Sequence, residues 1–419
     1  MKLKILKYLD VVVEYAIYLT IFFIPISITM VGTFAGMATV FFLVKKVLSG
    51  DFSSVKANKW LFLFILMFFV FMGLSLFNSG PLLGKSLKAW LIKWGRFPLF
   101  FWAVMETFQD TKRVVRTMYI LVFSATLVGL TVFTQKFFGF EFLRRKASWG
   151  YLAASIGPFK NPNALAAYLT CVIPVVLSFG LWVGFGYRKP NHGLVAKWKR
   201  FVLKLGFLLI ATMLIVSSFW TFCRGGWLGL IAGLIFVTLI TNYQRIKKIF
   251  WPLFWSSYLF IVPLIGLALF FFRNRGDSNR FILSRGALKM IKEHPLLGNG
   301  IGTFMDYCIQ YTNNFGAYYA HNCYLQIWAE SGIFSLLCFL LFVGYVFYRS
   351  IKVSLRISGS LNSFILIGLT AGLLGFLVHS FFEVHLYSFQ LSFLFWVVLG
   401  LTVALYSRLD QKQFSGGLT

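Results

Sequence analysis

Long apolar runs, each closed by charged or turn-forming positions, recur along the whole chain at 11–29, 31–48, 60–78, 90–108, 114–134, 163–183, 201–220, 226–242, 251–272, 327–348, 361–381 and 388–407. A bilayer crossing by a helix takes about 20 apolar residues, and each run is close to that length. The runs lack the apolar–polar alternation that strands of an outer-membrane barrel would show. The pattern therefore predicts an all-α polytopic membrane protein with about twelve transmembrane helices, organised as a single integral membrane domain over residues 1–419. Inspection finds no internal repeat and no low-complexity stretch. Nothing suggests the paired, interrupted helices of inverted transporter halves.

The series has one long gap, residues 273–326 between spans nine and ten. Loops of that length without a function are uncommon, and this one has helical periodicity of its own. Asp277 or Ser278 can cap a helix in which Leu283, Ala287, Met290 and Ile291 share a face. Arg285, Lys289 and Lys292 fall on roughly the opposite side, with Phe281 and Leu288 near its edge, and Pro295 ends the run. An interfacial amphipathic helix whose cations meet lipid head groups is one account; a ligand-binding face is the other. Beyond it, His294-Pro295-Leu296-Leu297-Gly298-Asn299-Gly300-Ile301-Gly302 carries alternate glycines that permit tight turns. It lacks the spacing and preceding strand of a dinucleotide fingerprint. His294 reads as a capping residue.

Composition agrees with the spans. Hydrophobic residues make up 59% and charged residues 12%, with mean hydropathy +0.78. Soluble proteins carry about 25% charged residues, so a soluble enzyme and a disordered chain are excluded. Charge changes the picture more. Lys and Arg number 40 against 12 Asp and Glu, a net +28. Lys2, Lys4 and Lys7 before the first span set the N-terminus in the cytoplasm by the positive-inside rule. Asp10 and Glu14 interrupt that run and fit a cleaved signal peptide poorly. Twelve crossings return the C-terminus, with Arg408 and Lys412, to the same side and turn 273–326 outward. Sixteen basic residues then lie outward or at outer span ends, among them Lys85, Lys93, Arg96, Lys160, Arg224, Arg280 and Arg285. Six carboxylates share that side: Glu141, Asp277, Glu293, Asp306, Glu330 and Glu383. Such a surplus opposes the rule that oriented the chain and points to a strongly anionic ligand. Nucleic acid is excluded by the membrane spans.

Candidate chemistry sits just before span ten, in His321-Asn322-Cys323-Tyr324-Leu325-Gln326-Ile327-Trp328-Ala329-Glu330-Ser331-Gly332. A histidine at an outer membrane surface titrates near neutral pH, although a lone one is more often an interfacial residue satisfied by backbone. His321-Asn322, nine residues and Gly332 resemble the H-[NSQ]-x9-G-x-x-G signature of bacterial O-antigen ligases, with Ser335 in place of the last glycine. Arg224-Gly225-Gly226, Pro158-Phe159-Lys160-Asn161-Pro162-Asn163, and Arg285 followed by 294–300 are also similar, in the family's order over roughly 155–345.

The resemblance implies a glycosyltransferase of the bacterial inner membrane with its active site facing the periplasm. It would move glycan from an undecaprenyl-diphosphate-linked donor to a lipid A–core acceptor. Arg224 and Arg285 match the family's arginines and are assigned to the diphosphate, whose oxygens suit the planar guanidinium fork; Lys160 is a further phosphate contact. His321 is the expected general base for a sugar hydroxyl, with inversion at the anomeric carbon. Asn322, Glu330 and Lys289 are supporting candidates. Glu330 could orient the base or pair with an arginine, or be an ordinary interfacial carboxylate. The scattered outward carboxylates form no D-x-D motif, so neither a metal nor a cofactor is expected. His379 and Glu383, four apart, could form a local hydrogen-bonded pair. Cys308 and Cys323 share the outward loop, but sequence supplies no distance for a disulfide. A polymerase would use the same donor with a lipid-linked glycan as acceptor. A transporter or flippase would show more ionisable residues at mid-span depth, and a non-catalytic scaffold also remains open.

Overall fold

The computed structural model describes residues 1–143, 146–147, 154–183, 194–243, 278–312 and 319–414. The expected ninth span, 251–272, lies outside them, as do Arg144, Arg145, Arg273, Arg275 and Asp277.

The chain is an all-α polytopic membrane protein. Among the described residues, nine helices are long and apolar enough to cross a membrane. They lie within α2 (Ile28–Ser49), α3 (Lys59–Leu74 and the turn after it), α6 (Thr111–Phe138), α7 (Pro162–Leu181), α8 (Leu194–Phe219), α9 (Arg224–Thr241), α12 (Cys323–Arg356), α13 (Leu361–His379) and α14 (Phe389–Phe414). Two other expected spans are helical but do not meet that standard. Helix α1 (Lys2–Phe23) carries charge: Glu14 is buried, accepts from the Tyr18 hydroxyl at 2.8 Å and pairs with Arg113 at 3.0 Å. The fourth is broken into α4 (Leu83–Lys88), a π-helical turn (Ala89–Trp94) and α5 (Arg96–Thr107). Among the described residues, the β structure is one hairpin pairing 140–141 with 146–147.

Helix α14 is the shaft of the bundle: 94% of its apolar window is buried, against 22% for α2 and α8, whose outer faces are left for lipid. Around it α13 packs between α7 and α9. Lipid tails are as apolar as leucine, so helix association here depends on close packing rather than on burial from water. A Cβ on Gly229 would sit 2.4 Å from the Gly375 carbonyl oxygen, so α9 and α13 meet backbone to backbone.

The segment between α9 and α12 supplies α10 (Ser278–Glu293) and α11 (Phe304–Thr312). The four apolar positions of α10 are buried against Phe304, Cys308, Ala320 and Ala329. Its apolar face is thus packed on protein rather than inserted among lipid tails, while Arg285, Lys289 and Lys292 stay exposed. The glycine-rich stretch after it docks into a break in α12. Gly332 has φ +80° and ψ 172°, and a Cβ there would lie 2.0 Å from the Leu296 carbonyl oxygen. The Ile333 amide donates to the Pro295 carbonyl at 3.0 Å, and the Gly300 amide to that of Glu330 at 2.9 Å. Gly298, Gly300 and Gly302 all have positive φ, as tight turning requires. Asn78 and Ser75, beyond α3, bind the same stretch from the other side. All five cysteines are free thiols, Cys308 and Cys323 included.

Candidate active site

His321 is the residue before the N-cap of α12. Asn322 caps that helix, its Oδ1 accepting from the Leu325 amide at 3.0 Å, and the Cys323 amide donates to the Ser380 carbonyl at 2.9 Å. The chain therefore enters α12 pinned on both sides, and His321 is held at φ +51°. Left-handed backbone is rare for a residue with a side chain.

The strained placement aims the imidazole at Glu383. His321 Nδ1 lies 3.1 Å from Glu383 Oε2. The other carboxylate oxygen accepts from Arg280 Nη2 at 3.0 Å and from Asn163 Nδ2 at 2.5 Å. Arg280 also donates to the Phe382 carbonyl at 3.3 Å. Glu383 is 8% exposed and His321 is half-buried, so the carboxylate lies inward and the imidazole at the opening. In a neutral ring facing an accepting carboxylate, Nδ1 is the nitrogen that holds the proton and Nε2 the one with the lone pair. A carboxylate that accepts from one ring nitrogen and so fixes tautomer and ring orientation is a recurring device at catalytic and metal-bound histidines.

Asn163 reaches Glu383 from the start of α7, where Asn161 caps the helix at 2.8 Å from the Ala164 amide and Pro162 takes the first position. Lys160, exposed just ahead of that cap, lines a cavity of about 420 Å³ with Asn163, Glu383, Tyr319 and Tyr387. Arg224 opens α9 and is exposed. The two glycines after it bring it to the same turn: a Cβ on Gly225 would stand 2.8 Å from Phe382, and one on Gly226 3.4 Å from the His379 ring. The chain around Lys160, Arg224, His321 and Asn322 thus converges on one turn, 379–383.

Other expected residues are placed elsewhere. The Arg285 guanidinium stacks over the Phe281 ring at 5.1 Å on the exposed face of α10. Lys289 donates to the Tyr311 carbonyl at 3.2 Å. Glu330 is buried and, among the described residues, pairs with no arginine; its Oε1 accepts from the Phe304 amide at 3.0 Å, at the positive end of α11. His379 and Glu383 are not partners, because α13 ends at His379 and Glu383 lies beyond the helical turn that a four-residue spacing needs. His379 Nε2 instead meets Cys223 Sγ at 3.2 Å, and its ring abuts that of His385 at 4.2 Å. Burial pushes the Cys223 thiol up to about 11 and holds the His385 imidazole well below its ordinary value. Both are neutral at pH 7. Arg280 and Asn163 were missed as site residues by sequence reasoning; Arg280 showed only as one outward cation among sixteen, Asn163 only as part of a cap motif.

A family model described as O-antigen ligase matches residues 207–340. That stretch of the chain is similar to the family. The matched stretch contains Arg224, Arg280, Arg285 and His321, while Asn163 and Glu383 reach the site from outside it. No curated protein matches the chain. O-antigen ligase-type proteins act on lipid-linked glycans at a bilayer, which agrees with the membrane bundle.

Proposed function

We propose that this protein is an O-antigen ligase of the bacterial inner membrane: it transfers glycan from an undecaprenyl-diphosphate-linked donor to a lipid A–core acceptor on the periplasmic face. The observation that carries the reading is the imidazole of His321 paired with Glu383 at 3.1 Å, on the turn that the start of α9 and the cavity lined by Lys160 also reach. A sugar hydroxyl is far too weakly acidic to attack as an alkoxide at neutral pH. Nε2 of His321 takes its proton as the hydroxyl oxygen bonds to the anomeric carbon, and the bond from that carbon to the diphosphate oxygen breaks. One displacement inverts the configuration.

Leaving-group charge falls on the diphosphate. Arg224 and Lys160 are assigned to it at the turn 379–383, and Arg285, on the exposed face of α10, is the third cation given that role. Fixed cationic donors aimed at developing negative charge contribute a few kcal/mol each in a water-poor site, and this is the role given to them in place of a divalent metal. Glu383 is a positioning residue that also stabilises the imidazolium formed during attack.

A polymerase would use the same base and donor with a lipid-linked glycan as acceptor. Lipopolysaccharide profiles of a strain lacking the protein separate the two. Loss of long-chain caps with accumulation of lipid-linked polymer supports the ligase; caps of a single repeat would overturn it in favour of the polymerase.

A further inference from the structure

A second cationic chamber lies on the other side of Tyr319 and Tyr387. It has a volume of about 410 Å³, and Lys85, Lys93 and Arg96 line it together with Glu330 and the same two tyrosines. Its cations stand on the broken fourth span. Lys85, Ala89, Lys93 and Arg96 succeed one another along one stripe of α4, the π-helical turn and the start of α5. Such turns occur frequently at functional sites.

The three cations are not equivalent. Lys85 forms an ion pair with Asp306 of α11. Among the described residues no carboxylate pairs with Lys93 or Arg96. Arg96 spends Nε on the Lys93 carbonyl at 3.2 Å, and its guanidinium stacks on Phe389 at 5.0 Å. Its terminal nitrogens thereby keep their donors. Arg96 also lines an apolar groove of about 800 Å³ between α2, α3 and α5, together with Gly36, Ile65 and Trp102. Placing an unpaired arginine where a lipid-facing groove meets a polar chamber is costly unless an anion completes it.

We propose that Lys93, Arg96 and this groove form a second lipid-phosphate site, separate from the cations around Arg224, which seats a lipid with its phosphate on Arg96 and its tail between α2, α3 and α5. Charge complementarity selects the head and groove continuity selects the tail. The head would then extend past Tyr319 and Tyr387, which line both chambers, toward Glu383 and His321. Under the transferase reading above, this is the seat of the acceptor lipid; the binding of a lipid phosphate does not depend on that reading.

The test uses purified full-length protein in nanodiscs with a phosphatidic acid bearing a photoreactive tail; the matching phosphatidylcholine serves as a control whose phosphate is capped by a cation. Cross-linked peptides are mapped by mass spectrometry. Phosphatidic acid should label 62–69 and 91–99 several-fold more than phosphatidylcholine. The Lys93→Gln/Arg96→Gln double variant should lose about tenfold of that labelling, the scale of a charge-assisted contact. Gly36→Leu should also reduce it without changing any charge, because a Cβ at Gly36 meets nothing within 4 Å and the added side chain fills the groove. Added inorganic phosphate should compete poorly, since it has no tail. Equal labelling by the two lipids, in wild type and variants alike, would mean ordinary annular lipid and overturn the proposal. The readout is binding, so a protein with no transferase activity would still report on it.

Discussion

His321 and Glu383 are 62 residues apart in the chain and 3.1 Å apart at one end of the bundle. One precedes α12 and the other follows α13, and the Cys323–Ser380 backbone hydrogen bond ties the two approaches together. The pair is therefore set by the packing of two helices rather than by a mobile loop.

That relationship makes Glu383 testable by itself. In Glu383→Gln the side-chain amide can donate to Nδ1, which would move the ring proton to Nε2 and disable the base. Turnover should fall about 10²–10⁴-fold while donor binding changes little. Glu383→Asp, which keeps the acceptor one methylene short, should lose less. Separate kcat and KM values check this, since a purely structural role would lower the active fraction rather than split the two.

Arg224→Ala and Arg285→Ala should each raise KM for the lipid-diphosphate donor and slow turnover. Lysine at either position should rescue only in part, because a point charge does not reproduce the bidentate fork. Donor titrations on the purified variants measure both effects.

The helical membrane fold was legible in the sequence because bilayer spans leave a strong local signal, length and apolarity together. The helix at 278–293, its buried face and the turn at Pro295 were legible from helical periodicity and the proline stop. The broken fourth span was not, since a π turn changes hydrogen-bond register without changing composition. In the site, His321, Asn322, Lys160 and Arg224 were legible from local motifs. Partner assignment was not. Glu383 was one outward carboxylate among six and was matched to His379 by spacing, whereas its actual partners, Arg280 and Asn163, are 103 and 220 residues away. Glu330 lay inside the motif, yet it serves the start of α11.

Gly332→Ala should destabilise the protein through both backbone and sterics. At φ +80° and ψ 172° a side chain costs about 1–3 kcal/mol, and the Leu296 carbonyl must also move. Gly344→Ala in the same helix, with nothing within 4 Å of its Cβ position, should be neutral or slightly stabilising. Thermal unfolding in detergent compares the two.

The proposed orientation predicts that Gln310→Cys on α11, which is exposed, is labelled by a membrane-impermeant maleimide added to spheroplasts, and that exposed Ser358→Cys is not. The five native cysteines are buried and should give little background. Labelling of Ser358→Cys instead would reverse the topology and remove the periplasmic site.

The central claim is tested most directly by turnover of purified protein with a lipid-diphosphate-linked glycan and a lipid A–core acceptor, wild type against His321→Ala, with EDTA present throughout. The account predicts active wild-type enzyme and a loss on the order of 10²–10⁴ in the variant, with donor binding nearly intact. Wild-type turnover in His321→Ala would remove the histidine from the mechanism, and activity restored only by added Mg²⁺ or Mn²⁺ would contradict the arginine-based scheme.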